Sequence, residues 1–164
     1  MSRRRNRSFR SPAAAARAAL GHRGFVAHWR ELCDSDAWQN APLNVRRLLQ
    51  FLELEHLRHA GKENGFLAAP YNQLVAFGIG RCLIKPAIND AVRRGLLQVT
   101  HHGSHHANGR VDPSRYRLTY LQWKLAGATG PEFIPPTNEW KQYREPPKPP
   151  RRRKPSLRVV VTNE

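Results

Sequence analysis

The stretch Gly78-Ile79-Gly80 constrains this chain more than any other feature, because it stops one helix after barely two turns and lets another begin at once. Glycine reaches the left-handed conformations that end helices without the steric cost other residues meet there. The helix before the break spans Pro70 to Phe77, with proline at a first position it suits and with Leu74 and Phe77 turned inward. The helix after it runs from about Arg81 to Arg94 and is closed by Gly95. Leu74 before the turn, and Ile84, Ile88 and Val92 after it, supply an apolar lock between the two. Pro86 lies inside the second of these helices, where it removes a hydrogen bond. A helix start nearer Leu83 would put it in the first turn, where it costs little.

The flanking elements fit around this pair. Phe25 to Leu32 forms an apolar lead-in, and Asp36-Ala37-Trp38 a helical turn. Pro42-Leu43-Asn44 opens the first long helix, with Asn44 as its expected N-cap. Val45, Leu48, Leu49, Leu52 and His56 fall on one face of a 3.6-residue period, and Gly61 ends the helix. Asn64-Gly65 is a turn, and Phe66-Leu67-Ala68 a very short strand. After Gly95 the period changes to that of strands. Leu96, Leu97, Val99 and Thr100 form one, and in the next Tyr116, Leu118 and Tyr120 alternate with Arg115, Arg117 and Thr119. Between them lies a polar loop, His101 to Ser114. Two short helices across a glycine turn, followed by a hairpin, define the expected fold. It is an α+β, mainly helical winged helix-turn-helix, with a three-helix core and a β-hairpin wing. Trp29, Trp38 and Trp123 are spread through the apolar zone and are expected in its core.

Charge then narrows the partners. The 164 residues carry 28 Lys and Arg against 12 Asp and Glu, a formal net charge of +16. Such a chain binds polyanions by releasing their counterions, which makes nucleic acid the default partner. Residues 1–22 are Arg- and Ala-rich, residues 24–135 hold almost all the large apolar side chains, and in 136–164 prolines and arginines crowd together. The two outer segments are expected to be disordered basic arms, with Trp140 folding the end of the tail back onto the domain. The N-terminal arm has the composition of an organelle transit peptide, but a flexible phosphate-binding arm explains the same residues more simply. Cys33 and Cys82 are far apart and neither belongs to a C-x-x-C motif, which fits a reducing compartment. No apolar run approaches the roughly 20 residues of a membrane span. The chain is therefore expected in the cytoplasm, associated with the nucleoid, and not in a membrane.

The outer face of the third helix is the candidate site. Arg81, Lys85, Asn89 and Arg93 recur every four residues, with Arg94 beside them. Arg and Lys reach guanine acceptors, and Asn can bond adenine in a bidentate manner. The stripe contains no acid, although Asp90 sits next to it and either orients Arg93 or Arg94 or repels phosphate. Arg110 and Arg115 on the hairpin and Arg151, Arg152 and Arg153 in the tail complete the expected DNA contacts. His101, His102, His105 and His106 have metal-like spacing, but no cysteine or carboxylate supports them. A polar wing tip near phosphate is the favoured account, and no metal or cofactor is expected. Walker A, G-x-S-x-G and H-E-x-x-H patterns are all missing, so no catalytic residue is assigned and an enzyme is not expected.

From Phe25 to Tyr120 the chain resembles small bacterial winged helix-turn-helix, replication-initiator-like proteins common in α-proteobacteria and their mobile elements. The likeness rests on Asp36-Ala37-Trp38, Glu55-His56-Leu57-Arg58-His59, Lys62-Glu63-Asn64-Gly65 and Pro70-Tyr71. It continues through Phe77-Gly78-Ile79, Ala87-Ile88, Arg94-Gly95-Leu96, Tyr116-Arg117-Leu118-Thr119 and Thr137-Asn138-Glu139-Trp140. The histidine-rich loop and the Pro/Arg tail depart from that pattern. The resemblance implies a winged-helix fold and DNA binding, but no particular operator or process. The expected function is sequence-reading binding of double-stranded DNA, in transcription regulation or as a replication or mobile-element accessory factor. A general RNA- or ribosome-associated binder and a winged-helix protein–protein adaptor are the alternatives, and a homodimer through the first helix or the lead-in stays open.

Overall fold

The computed structural model describes residues 24–105, 111–124 and 133–147. Residues 1–22 and the tail arginines Arg151, Arg152 and Arg153 lie outside them. The architecture is α+β. Among the described residues five helices come first in order: α1 (Arg30–Cys33), α2 (Asp36–Gln39), α3 (Leu43–Arg58), then after strand β1 (Leu67–Ala68) α4 (Tyr71–Ala76) and α5 (Arg81–Arg93). Strands β2 (Leu97–His101), β3 (Ser104–His105), β4 (Val111–Asp112), β5 (Arg115–Leu118), β6 (Trp123–Lys124) and β7 (Phe133–Ile134) follow, and a 3-10 turn spans Glu139–Gln142. One antiparallel sheet has the order β1-β5-β2, and two small ladders pair β3 with β4 and β6 with β7.

Three helices end in the same way. After α4 the Gly78 N–H donates to the Val75 carbonyl at 3.0 Å and the Ile79 N–H to Leu74 at 3.0 Å, with Gly78 at φ +97°. After α5 the Gly95 and Leu96 N–H groups repeat this pattern on Val92 and Ala91, with Gly95 at φ +68°. The paired bonds satisfy carbonyls that a helix end leaves orphaned. At the end of α3 the left-handed residue is Ala60 (φ 53°), not the expected glycine, and Gly61 (φ 71°) follows it. The start of α3 also differs from expectation. Asn44 is its second residue and caps nothing, because the helix begins at Leu43 behind Pro42.

The core forms where α3 packs on α5 and β1. Val45, Leu48, Leu49, Leu52 and His56 are buried, and Phe51 joins them edge-on to Phe77 with ring centroids 5.4 Å apart. On α5, Ile84 and Ile88 are buried as expected, but Val92 is 41% exposed and Ala91 takes its place at 0%. The cause is rotation. A step of four residues turns an α-helix by roughly 400°, so two steps drift about 80° off the original face. Pro86 lies well inside α5, because the helix starts at Arg81 and not near Leu83. The carbonyl that loses its donor is that of Cys82; both residues are exposed, so water can replace the missing N–H. Trp29 is 65% exposed and lies outside the core, while Trp38 packs against its edge.

The expected alternation along β5 does not hold. Tyr116 and Leu118 are buried, and so are Arg117 and Thr119. The C-terminal segment covers the second face. Arg117 donates to Gln98 at 2.7 Å and to Glu139 at 3.0 Å and lies over the Trp123 ring at 4.8 Å, while the Asn138 N–H bonds the Thr119 carbonyl at 3.1 Å. Trp140 is 4% exposed. The folded unit therefore extends past the expected boundary at 135 to at least Glu145. That residue binds Arg94 at 3.0 Å, and nearby Lys141 reaches Glu31 at 2.9 Å. Gly95 permits the docking: a Cβ there would stand 2.7 Å from the Glu139 carbonyl carbon and the Trp140 nitrogen.

On the other side of the core, the Glu53 carboxylate accepts from the Tyr120 hydroxyl at 2.6 Å and from His28 Nε2 at 2.7 Å. The hydrogen bond from Glu53 raises the His28 pKa above 6.5, more than burial lowers it. Burial lowers that of His56, which outweighs the attraction of Glu53. The two histidines act with opposite sign on stability. Protonated His28 stabilises the fold below pH 6.5, and that contribution fades as pH rises through its folded pKa. Neutral His56 stabilises above pH 6.5 and is lost as the unfolded chain takes up protons below it. Replacing His28 by Gln should therefore leave the His56 trend alone, so that melting temperature rises with pH between 5.5 and 8 more than it does in the parent, as thermal scans across that range would show.

Candidate nucleic-acid interface

Helix α5 is held at both ends by contacts its own sequence does not show. At its start the Gly78 turn is fixed from α3, whose Arg47 donates to the Gly78 carbonyl at 2.7 Å. Arg46 beside it donates to the Trp38, Gln39 and Ala41 carbonyls at the end of α2, at 3.0 to 3.2 Å. Cations in the first turn of a helix oppose its dipole. Here both leave α3 for the electronegative carbonyl ends of neighbouring helices, where they are favoured. That misplaced pair of arginines was the available sequence signal, and sequence reasoning passed over it.

The four-residue stripe is present but twisted, by the same drift that exposes Val92. Arg81, at one end, donates to Asn72 of α4 at 3.0 Å and ties the two short helices together. Arg93, at the other, is bound to Asp90 and lies 5.5 Å from the Tyr143 ring centroid. Lys85 and Asn89 occupy the middle. Both are exposed, and among the described residues neither has a hydrogen-bond or ion-pair partner.

Arg94 does not belong to this surface. It is 2% exposed, paired with Asp90 at 3.1 Å and Glu145 at 3.0 Å, with its guanidinium 5.0 Å from the Tyr143 centroid. The expectation that it contacts DNA is corrected, because at the C-cap of α5 the chain has already turned inward under the C-terminal segment. Asp90 supports the arginines and does not face outward: burial pushes its carboxyl up, but hydrogen bonds and charge from Arg93 and Arg94 bring it below its ordinary range. The acid beside the stripe is thus neutralised by two cations.

The hairpin contributes less. Arg110 and His106 lie outside the described residues. His101 donates to Asp112 at 2.8 Å, so a carboxylate does support the histidine loop, contrary to the sequence expectation. Among the described residues no three His, Cys, Asp or Glu side chains are placed to hold a metal ion. Arg115 is exposed, but it stands on β5 opposite Ala68 and His101 and lines a separate groove rather than α5. No described helix is long and apolar enough to cross a membrane. No known protein family, curated protein or solved structure matches the chain.

Proposed function

We propose that the protein is a winged-helix protein that reads double-stranded DNA, with α5 in the major groove and the β2–β5 hairpin as its wing. It would serve as a transcriptional regulator or as a replication or mobile-element accessory factor at the nucleoid. The observation that carries this reading is the pair Lys85 and Asn89, exposed one turn apart with no partner among the described residues, on a helix braced at both ends. Side chains that nothing in the fold employs, of the types that match guanine and adenine edges, are what a reading helix requires. The +16 charge supplies the affinity that such a small reader needs. The likeness to replication-initiator-like winged helices belongs to the same proposal.

Selection from a random duplex library tests it with two proteins, the full chain and residues 24–147 alone. Trimming removes Arg3, Arg4, Arg5, Arg7, Arg10, Arg17 and Arg23 at one end, and Lys148, Arg151, Arg152, Arg153, Lys154 and Arg158 at the other. These can neutralise phosphate but do not sit on α5. The trimmed protein should bind more weakly, with a shallower dependence on salt, and select the same motif. A trimmed protein that folds but selects no motif would place recognition in the arms and refute the reading.

A further inference from the structure

A second surface lies away from the α5 stripe. Beside the short edge strand β1 the structure has a groove of about 740 Å³, lined among others by Lys62, Phe66, Arg115 and Phe133. Phe66 and Phe133 are 36% and 37% exposed, and neither belongs to the buried core. Two acids also line the groove, and both are engaged from its sides. Glu63 lies 3.5 Å from His59, and Asp112 accepts from His101 at 2.8 Å, contacts that offset the two negative charges when those histidines are protonated. Lys62 and Arg115, by contrast, are exposed and have no partner among the described residues. The groove thus offers two aromatic rings, each about a third exposed, next to two uncommitted cations.

We infer that this groove binds single-stranded nucleic acid, with Phe66 and Phe133 stacking on unpaired bases and Lys62 and Arg115 meeting the phosphates between them. In a duplex the base faces are covered by their neighbours, and phenylalanine reaches them there only by unstacking and kinking the helix, whereas an open strand presents them without that cost. Phenylalanine also lacks any donor or acceptor to read a base edge, so the site is tolerant of sequence. An apolar ligand would use the rings but leave both cations idle, and a simple anion would leave the rings exposed to water. A nucleotide chain uses both. None of these residues is on α5, so the inference does not depend on the duplex reading.

The test separates base stacking from charge, because the basic arms hold any polyanion. Binding of the full chain is compared for oligothymidylate of about 12 nucleotides and for an abasic chain of the same length, which carries the same phosphates. The parent should prefer the base-bearing chain by about tenfold or more. Phe66→Leu combined with Phe133→Leu should bring that ratio close to one, and Lys62→Gln with Arg115→Gln should weaken both ligands alike. Phe133→Leu alone, outside the core, should cut the preference by several-fold and decides the matter should the double variant fail to fold. Lys85→Ala with Asn89→Ala should leave the ratio as it was. A parent without the preference, or folded phenylalanine variants that keep it, would overturn the inference.

Discussion

Replacing Asn64 by alanine should cost the fold about 4 kcal/mol, the largest loss expected from removing so few atoms. Asn64 is 1% exposed and serves four backbone groups. Its Oδ1 accepts from the Leu118 N–H at 2.7 Å, and its Nδ2 donates to the carbonyls of Leu118, Leu121 and Gln122 at 2.9 to 3.1 Å. These groups lie where β5 ends and the chain turns, past the end of β1, which pairs only with Arg115 and Tyr116. Alanine would leave the buried Leu118 N–H unpaired, at roughly 1–3 kcal/mol, and remove the bonds to the three carbonyls, of which that of Leu118 keeps one from the Leu121 N–H at 3.4 Å, at roughly 0.5–1.5 kcal/mol each. Against a total stability on the order of 5–15 kcal/mol, the melting temperature should fall by roughly 15 °C. Circular dichroism melts of the parent and of Asn64→Ala check this. Two curves within a few degrees of each other would mean that water or another side chain replaces the amide, and that the β5 turn does not rest on Asn64.

This residue also shows what could be read in advance. Asn64-Gly65 is legible as a turn, because both residue types favour one, but the partners of Asn64 lie more than fifty residues away and leave no local mark. The helices were legible because their ends are written in Pro42, Pro70, Gly78 and Gly95, and their inner faces in the spacing of leucines and isoleucines. Errors entered where an integer step stood in for the true helical period. Four-residue spacing wrongly turned Val92 inward and made Arg81 and Arg93 equal members of a flat stripe. They instead sit about 120° apart around α5, one against α4 and the other against the C-terminal segment. The second face of β5 was misread for another reason. Arg117 and Thr119 look solvent-facing until Glu139 and Trp140 are laid over them; Trp140 hints that the tail folds back, but nothing local marks β5 as the place where it docks. Arg94 was assigned to DNA on charge alone. Its burial follows from Asp90 one turn earlier and Glu145 far along the chain, and only the first of these is visible in a local pattern.

The largest expected effect on function belongs to Lys85 and Asn89 together. The drift that occupies Arg81 and Arg93 leaves these two as the free centre of α5, so specificity should be concentrated in them and not shared along the stripe. A good base contact is worth roughly 1–3 kcal/mol of discrimination. Losing both should weaken binding to a selected duplex by about 3 kcal/mol, roughly 100-fold. Binding to random duplex should change little, since one lost cation is small against a chain with 28 Lys and Arg. Folding should be intact, because both side chains are exposed and bond nothing among the described residues. The decisive measurement is the ratio of affinities for selected and random duplex at about 150 mM salt, where nonspecific contacts are weakened, for the parent and for the Lys85→Ala, Asn89→Ala double variant with its fold verified. The parent's ratio should fall by about 100-fold in the variant. A folded double variant that discriminates as well as the parent would contradict this, and α5 would not be the element that reads DNA.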